Sequence, residues 1–451
     1  MPNIMERKLR FESLLLPTGW AEHVCVSIDA AGVISGIETG SKAGEVVSGI
    51  AIPAMANLHS HTHQRLMQGL AERAGLGPDS FWTWREVMYG FALKLSPEDL
   101  EAVAAQAFME MLCAGFTCVG EFQYLHHQPD GTPYANRAEL SLRCVAAAQT
   151  AGIGLTMLPV YYAYGGFGGK PPTQGQRRFI NSVDGFLEIH SELAKAGCRL
   201  GIAPHSLRAV TKDGLSAVLA ATPADQAIHI HVAEQLQEVA DCLLFANKRP
   251  VQYLLDNFAV DKNWCAIHAT HLVADEITGL AKSGAVAGLC PTTEANLGDG
   301  VFPAHSFLDA GGVFGIGSDS HVSISVAEDL RMLEYSQRLS HHRRNALADG
   351  PGESTGRSLF NRALKGGEQA LQQNSGEIAI GRRADIVVLD PEHPSMLCRA
   401  KDQALDAWIF SAGNAAVRDV YAGGRHVVRQ GRHIHHDAII QKFKSAQRRL
   451  S

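Results

Sequence analysis

Short apolar runs alternate with helical patterns along most of the chain. Eight such runs occur between residues 50 and 318, at 50–61, 117–122, 153–160, 198–204, 227–233, 264–269, 284–290 and 312–318. Several, such as 284–290, are apolar or small at every position, which is typical of strands that are covered on both faces of a parallel sheet. Eight alternations of strand and helix predict a closed (β/α)8 barrel rather than an open sheet.

One helix between the first two runs has clear boundary signals. Ser96 can cap its N-terminus, Pro97 suits the first helical position, and Glu98 and Asp99 place acidic groups in the first turn. Apolar residues then recur at helical spacing up to Gly115. The pattern therefore predicts an amphipathic helix that ends at this glycine.

Both ends of the chain show strand and turn patterns without the helical alternation. Examples are residues 384–389 and 418–425, which are rich in β-branched and turn-forming residues. Neither end is long enough to form a good core alone. We therefore expect residues 1–54 and 376–451 to meet in one small β domain, while residues 55–375 form the barrel.

Composition and charge give no support to several classes of function. The net charge is −6 with histidines neutral, and no long basic run offers a surface for nucleic acid or an anionic membrane. Nine cysteines without a Cys-x-x-Cys pair favour reduced thiols. The N-terminus lacks the apolar core of a signal peptide, and no stretch approaches the roughly 20 apolar residues of a membrane span. We expect a soluble cytoplasmic protein.

The candidate chemistry lies at the ends of the apolar runs. His59 and His61 end the first run, and residues i and i+2 of a strand point the same way. His231, His268 and Asp319 end three later runs. Barrel enzymes place their active sites at these strand ends, so the side chains can converge. Three of these four imidazoles together with the carboxylate suit a borderline ion such as Zn²⁺, with an open position for water. The alternative is that each histidine is a hydrogen-bonded interior residue.

Two carboxylates in this group suit proton transfer. Glu234 follows His231 by three residues, where the chain leaves the strand, and can reach a substrate nitrogen as a proton shuttle. The alternative is a glutamate at a helix start, favoured by the helix macrodipole. Asp319 follows the small residues 315–318, which let the backbone pack close to the site. It can bind the metal and also accept a proton from the attacking water.

Other histidines are interpreted as supporting or peripheral residues. His229 points the same way as His231 but lies deeper, so we interpret it as support, and a ligand role for His63 would need the strand to continue beyond the barrel rim. Six more are expected at the rim or surface, namely His126, His127, His271, His321, His341 and His342. The glycine-rich segment 165–169 lacks a phosphate-binding signature and is expected to be a mobile flap over the barrel mouth.

The chain resembles the amidohydrolase superfamily, in its mononuclear deaminase branch. The resemblance rests on the segments 57–61, 80–86, 205–211, 292–300, 317–321 and 376–390. The last segment is typical of the small β-sandwich in this superfamily, so the resemblance implies a TIM barrel with a β-sandwich domain built from both chain ends. No lysine stands at a strand end to form a bridging carbamate, which favours one metal ion over two. More narrowly, the segments resemble the N-formimino-L-glutamate deiminase family of bacterial histidine degradation.

That narrower resemblance implies roles for named residues. One zinc ion per chain would be held by His59, His61, His231 and Asp319. Glu234 and His268 would act on the substrate together with Asp319. The pocket would be lined by Gln64, Arg85, Tyr124, His205 and Arg208. His63 departs from the aromatic residue that is expected in close relatives.

A dianionic amino-acid derivative needs fixed cations, and arginine forks match carboxylates. Arg85 follows an aromatic-rich loop and Arg208 follows the fourth run, so both can border the barrel mouth, although either can instead be a surface ion-pair residue. The expected reaction is hydrolysis of N-formimino-L-glutamate to N-formyl-L-glutamate and ammonia. The alternatives are a deaminase of a purine, pyrimidine or related heterocycle, or a non-catalytic scaffold, which would be expected to have lost ligands. Barrel enzymes of this kind suggest a homodimer.

Overall fold

The computed structural model describes residues 6–74 and 81–450 of the chain. The strands are β1 Arg7–Leu16, β2 Gly19–Ile28, β3 Ile34–Thr39, β4 Glu45–Pro53, β5 Met55–Ser60, β6 Phe116–Gln123, β7 Gly154–Tyr161, β8 Arg199–Leu200, β9 Ala203–Pro204, β10 Ile228–Val232, β11 Trp264–His268, β12 Val286–Leu289, β13 Val313–Ile316, β14 Ile386–Leu389, β15 Val417–Ala422, β16 Arg425–Arg429 and β17 Arg432–His433.

The helices are α1 Phe81–Ala92, α2 Pro97–Cys113, α3 Glu139–Ala151, α4 Val183–Ala194, α5 Lys212–Ala221, α6 Leu236–Ala246, α7 Pro250–Asn257, α8 Ala274–Ser283, α9 Pro291–Leu297, α10 Ala304–Asp309, α11 Val326–His341, α12 Thr355–Leu371, α13 Asp402–Ala407 and α14 His436–Leu450. Short 3-10 turns lie at Thr62–Met67, Gln174–Gln176 and Gly413–Ala416, and a π turn lies at Trp408–Ala412. Within the described part of the chain, no helix is long and apolar enough to cross a membrane.

The central strands form two parallel sheets of the α/β type. One sheet has the order β5-β6-β7-β8, with β9 also paired to β7, and the other has the order β10-β11-β12-β13. Isolated parallel bridges join the two sheets, pairing Ser60 with Asp319, Ile202 with Ile228 and Ser206 with His231. The strands are buried along nearly their whole length, as the apolar runs predict. Their carboxyl ends lie on one side, where the candidate residues stand.

The eight predicted runs coincide with strands, with two differences. The run 50–61 is not one strand, because the Ala54 N–H donates to Asp385 O whereas the Met55 N–H donates to Gly115 O. The chain therefore leaves one sheet and enters another between these two residues. The fourth run is divided into β8 and β9, and a Cβ at the intervening Gly201 would lie only 2.6 Å from Ala227 O.

The predicted helix after residue 96 is confirmed as α2. The Ser96 Oγ accepts a hydrogen bond from the Asp99 N–H, and the Asp99 carboxylate accepts one from the Ser96 N–H, which forms a capping box. Gly115 has a φ of +94°, a conformation that suits glycine after a helix end. This helix packs against α3 and the C-terminal α14.

Strands from both terminal segments, within residues 7–53 and 386–433, form one mixed sheet. Its order is β17-β16-β15-β14-β4-β1-β2-β3, and β14 joins β4 by antiparallel pairing. A separate apolar core lies on this sheet and includes Phe11, Val26 and Ile386, all of which are buried. The last described residues, 436–450, form α14 and pack on α2 rather than adding a strand.

Candidate metal centre and active site

Four predicted ligands converge at the carboxyl ends of the parallel strands. His59 Nε2 lies 3.0 Å from His231 Nε2 and 3.4 Å from Asp319 Oδ1, and His61 Nε2 also lies 3.4 Å from Asp319 Oδ1. Ligands of a tetrahedral zinc ion with bonds of about 2.0–2.1 Å stand roughly 3.3 Å apart. The separations and the donor types therefore fit one borderline metal ion.

In His61 and His231 the second ring nitrogen, Nδ1, fixes the orientation of the imidazole. His61 Nδ1 lies 2.9 Å from Phe122 O, and His231 Nδ1 lies 2.9 Å from His205 O. Each Nδ1 therefore donates to a carbonyl and leaves the Nε2 lone pair for an ion. Burial lowers the pKa of His59, His61 and His231, so these rings are neutral, the form that binds metals.

Small residues before Asp319 let two strand ends approach closely, as predicted. The Asp319 N–H donates to His59 O at 3.0 Å, and the His61 N–H donates to Asp319 O at 3.1 Å. A Cβ at Gly317 would lie 2.8 Å from His59 N, a separation too short for any other residue type. Asp319 has a φ of +46°, a costly conformation of the kind found at functional sites.

His268 lies beside the four ligands and is surrounded by carboxylates. Its Nε2 is 3.8 Å from Glu234 Oε1 and 3.7 Å from Asp319 Oδ2, and its Nδ1 is 3.1 Å from Glu294 Oε1. Burial lowers the pKa of His268, but the carboxylates of Glu234, Glu294 and Asp319 outweigh that effect and raise it to about 10. These carboxylates favour the protonated ring, whose Nε2–H can donate to a group that gains negative charge.

Glu234 occupies the loop between β10 and α6 and faces the same space. Its carboxylate lies within 4.0 Å of Arg208 Nη2 as well as close to His268. Burial raises the pKa of Glu234, an effect that His268 and Arg208 partly offset. A carboxyl group with a raised pKa that faces the reacting space can act as a general acid or base. Helix α6 begins only at Leu236, so Glu234 precedes its first turn.

A cavity of about 490 Å³ opens above these residues. The predicted site residues that line it are His61, Gln64, Arg85, Tyr124, His205, Arg208, His231, Glu234, His268 and Asp319. His59 is fully buried beneath them. The structure thus brings the whole predicted set together. Most of the apolar wall of the cavity was not predicted from the sequence. This wall includes Trp84, Met88, Tyr89, Tyr162, Phe167, Phe179 and Phe245.

Arg85 lies on a helix, which corrects the prediction of a loop. Helix α1 spans Phe81–Ala92, and the helical spacing of Trp84, Arg85, Met88 and Tyr89 explains how all four reach the cavity. The guanidinium of Arg85 lies 5.4 Å from the centroid of the Tyr89 ring. Aromatic residues at this spacing were the available signal for a helix. Residue 80 of the aromatic motif lies outside the described residues.

Tyr124 is the centre of a small polar cluster on the cavity wall. Its hydroxyl accepts a hydrogen bond from Gln64 Nε2 at 2.9 Å and lies 2.8 Å from His63 Nε2. Burial raises the pKa of Tyr124 well above its ordinary value, so the phenol stays neutral. His63 thus contacts the tyrosine and does not stand among the candidate metal ligands.

Three histidines expected at the rim or surface are buried, so that prediction was wrong for them. His126 Nε2 lies 2.9 Å from Val160 O, and His127 Nε2 lies 2.8 Å from Ile180 O. His321 is fully buried between the hydroxyls of Ser60 and Ser318. A polar ring can be satisfied inside the protein by such partners, which the sequence pattern does not reveal. The surface prediction is confirmed for residues 341–342, and residue 271 is half-buried.

The remaining expectations concern His229 and the glycine-rich segment. His229 Nε2 lies 2.8 Å from Ala370 O below the site, consistent with a supporting residue. Gly165, Gly166 and Phe167 line the cavity, and the Phe167 ring stacks on Phe245 with centroids 5.7 Å apart. The segment therefore lies at the cavity as predicted, whereas its mobility stays a prediction.

Comparison with known proteins agrees with this geometry. Residues 50–427 match the amidohydrolase family. The chain is 52% identical over 438 residues to the formimidoylglutamate deiminase of Pseudomonas aeruginosa, and this match covers 96% of this chain and 97% of that protein.

Solved structures give the same picture. A crystal structure of an amidohydrolase from Brucella melitensis has a TM-score of 0.93 and 51% identity, covering 98% of this chain and 99% of that one. An adenosine deaminase from Xanthomonas campestris with bound zinc has a TM-score of 0.81 over 100% of this chain and 99% of its own, but its identity of 21% shows a likeness of fold alone. The sequence match over most of the chain establishes that this protein belongs to the amidohydrolase family.

Proposed function

We propose that this protein is a zinc-dependent deiminase that hydrolyses N-formimino-L-glutamate to N-formyl-L-glutamate and ammonia. The observation that carries the proposal is one cavity in which a metal-ligand set and an acid–base set face two arginines, Arg85 and Arg208. The 52% identity to a formimidoylglutamate deiminase over nearly the full length of both chains supports the same substrate.

The proposal includes a specific architecture. The eight parallel runs and the bridges at both edges of the two sheets support a closed (β/α)8 barrel over residues 55–375. The mixed sheet that contains both chain ends supports a small β-sandwich domain formed by residues 1–54 and 376–451. We also propose a homodimer, which sedimentation of the purified protein would test.

Zinc would be held by His59, His61, His231 and Asp319, one ion per chain. Neutral imidazoles with oriented rings and one carboxylate are a donor set that this ion accepts. When bound, zinc lowers the pKa of a coordinated water to roughly 7 and so supplies a nucleophile at neutral pH.

Substrate binding is assigned to the polar part of the cavity wall. Arg208 and Arg85 would each pair with one carboxylate of the substrate, since a guanidinium fork matches a carboxylate. Gln64, Tyr124 and His205 would line the space around the formimino group. Because the cavity is walled by aromatic side chains, these charges would meet in a poorly hydrated space, where their attraction is strong.

The chemical step follows from the positions of three side chains. Asp319 accepts a proton as water attacks the formimino carbon, and a tetrahedral intermediate forms. The ring of His268, whose Nε2 faces Glu234 and Asp319, stabilises the negative charge that develops on the added oxygen. Glu234 delivers a proton to the terminal nitrogen, which becomes an amino group. When the added hydroxyl becomes the formyl carbonyl, its proton and the proton on Asp319 restore Glu234 and convert the amino group to ammonia, and the carbon–nitrogen bond breaks. The products are one N-formyl-L-glutamate and one ammonia per water consumed.

The alternative substrate is a purine, pyrimidine or related ring. The aromatic wall that includes Trp84, Tyr89 and Tyr162 would suit such a ring. Against it, a neutral ring would leave Arg85 and Arg208 without a substrate anion. Ammonia release by metal-loaded protein from N-formimino-L-glutamate, guanine, cytosine and adenosine separates the two. Turnover of N-formimino-L-glutamate alone is expected, whereas turnover of a ring compound alone would overturn the proposed substrate.

A further inference from the structure

Glu294 lies against the nitrogen of His268 that faces away from the reacting groups. His268 Nδ1 is 3.1 Å from Glu294 Oε1, whereas Nε2 faces Glu234 and Asp319 at 3.8 and 3.7 Å. Glu294 is 6% exposed and His268 is 1% exposed, so water competes little for this contact. The ring is thus held between carboxylates on both of its nitrogens.

The position of Glu294 is itself fixed by neighbouring backbone and side chains. It lies on α9, and its Oε1 also accepts the Cys290 N–H at 2.8 Å. The start of the same helix is anchored separately, because the N–H and the hydroxyl of Thr292 both donate to Asp329 Oδ1. Glu294 is therefore a rigidly held acceptor, and the residues that anchor its helix are different from those that it contacts.

We propose that Glu294 is a positioning residue for the reaction. By accepting the Nδ1–H of His268, it prevents rotation of the ring and keeps Nε2 directed at the substrate. Carboxylates that accept the distal N–H of an active-site histidine commonly set its tautomer and orientation. This inference rests on the proposed function for the role of His268, but the contact itself does not.

The alternative interpretation of this cluster is that it binds a second metal ion. His268, Cys290 and Glu294 offer ligand atoms within 4.8 Å of one another. Glu294 Oε1 already accepts the Cys290 N–H at 2.8 Å, so this oxygen has less capacity left for a metal ion. The positioning role is therefore favoured.

The test compares Glu294→Gln with the wild-type protein on N-formimino-L-glutamate. Glutamine keeps the size and an acceptor oxygen but removes the charge. We expect kcat to fall by about 10- to 100-fold, the scale found for carboxylates that orient metal-site histidines. KM is expected to change by less than about twofold, because Glu294 does not contribute to binding of the substrate in its ground state. In a His268→Asn background, Glu294→Gln should change kcat by less than about twofold, because residues that act as a unit are not additive.

The matched control is Asp329→Asn, which removes a buried carboxylate that anchors α9 without contacting His268. A merely structural role for Glu294 predicts that this control repeats the loss of kcat, whereas a positioning role predicts that it does not. Proton NMR gives a readout that needs no substrate. A low-field imidazole N–H resonance should be present in the wild type, absent in His268→Asn, displaced in Glu294→Gln and unchanged in Asp329→Asn.

Three results would overturn the inference: additive losses of kcat in the double variant, an unmoved imidazole resonance in Glu294→Gln, or loss of a second equivalent of bound metal in that variant. If Glu294→Gln does not fold, Glu294→Asp withdraws the carboxylate from Nδ1 while keeping the charge, and the same readouts apply. Failure of the wild type to release ammonia from N-formimino-L-glutamate would count against the proposed function alone, since the NMR comparison would still decide on Glu294.

Discussion

Gly317 lies directly against the backbone of His59. A Cβ at residue 317 would stand 2.8 Å from His59 N and 2.9 Å from His59 O. The strand that leads to Asp319 can therefore approach the strand that carries the paired histidines only if residue 317 has no side chain. The geometry of the candidate metal centre thus depends on a residue that offers no ligand.

The first prediction concerns this close approach. Gly317→Ala should displace His59, lower the metal content, and cost about 1–3 kcal/mol of unfolding free energy through overpacking. Gly350→Ala is the matched control, because a Cβ there meets nothing within 4 Å. Elemental analysis and thermal unfolding of both variants check the prediction. Full metal content in Gly317→Ala would show that the two strand ends can separate without disturbing the ligands.

A second prediction separates metal binding from proton transfer. Glu234→Gln keeps shape and hydrogen bonding but cannot shuttle a proton, so metal should remain while turnover falls by about 10²-fold or more. His231→Ala removes a ligand and should lose both metal and turnover. Metal content and kcat are measured on the same preparations. Near-normal turnover of Glu234→Gln across the pH range would mean that the shuttle is another group.

The strand positions and the polar residues gathered at the strand ends were predictable from sequence because parallel strands that are covered on both faces leave uniformly apolar runs. The polar residues that interrupt those runs at their ends, such as His59 and Asp319, then stand out. Glu294 gave no such signal, because it lies inside helix α9 and its importance comes from a partner 26 residues away in the sequence. Likewise, the burial of His321 depends on hydroxyls that only the folded chain places around it.

Arg85 shows a different limit of sequence analysis. Its aromatic neighbours suggested a loop at the barrel mouth, and it does reach the cavity, but from helix α1. The helical spacing of Trp84, Met88 and Tyr89 was present in the sequence. Whether such a short aromatic stretch is a helix or a loop is decided by the cavity wall against which it packs, which is a tertiary property.

The third prediction concerns recognition of the two substrate carboxylates. Arg208→Met should leave one carboxylate desolvated and unpaired, at a cost of about 2–5 kcal/mol, which lowers kcat/KM by about 30- to several thousand-fold. Arg85→Met should act in the same direction but less strongly, because Arg208 lies beside Glu234 with only 12% of its side chain exposed.

A substrate analogue that lacks one carboxylate is the control for this prediction. It should be a poor substrate for the wild type and lose little more in the variant that lacks the matching arginine. If both arginine variants keep the wild-type kcat/KM for N-formimino-L-glutamate, the arginines do not pair with the substrate.

The fourth prediction is a pH dependence of stability that arises at Glu121. Burial raises the pKa of this carboxyl to about 7 from its ordinary value of 4.5, although hydrogen bonds from Ser60 and Thr62 partly offset the shift. Between these values the folded state holds a proton that the unfolded state has lost. The stability of the wild type therefore decreases as pH rises through this window.

Glu121→Gln removes the titrating proton and should remove this part of the pH dependence. The unfolding free energy of the variant minus that of the wild type should rise by up to about 3 kcal/mol between about pH 4.5 and pH 7. Above about pH 7 this difference in unfolding free energy should stay constant. Denaturant unfolding of both proteins at several pH values checks the sign. A constant difference across the window would show that Glu121 is ionised in the folded protein well below pH 7.

The central claim is that the chain removes the terminal nitrogen of a linear amidine. The most direct measurement is the product balance when metal-loaded protein acts on N-formimino-L-glutamate, followed by NMR and by an ammonia assay. Because Glu234 is assigned to protonate the terminal nitrogen, the claim predicts equal amounts of N-formyl-L-glutamate and ammonia. Formation of glutamate and formamide would mean that the other carbon–nitrogen bond is cleaved, and an absence of both product pairs would mean that this amidine is not the substrate.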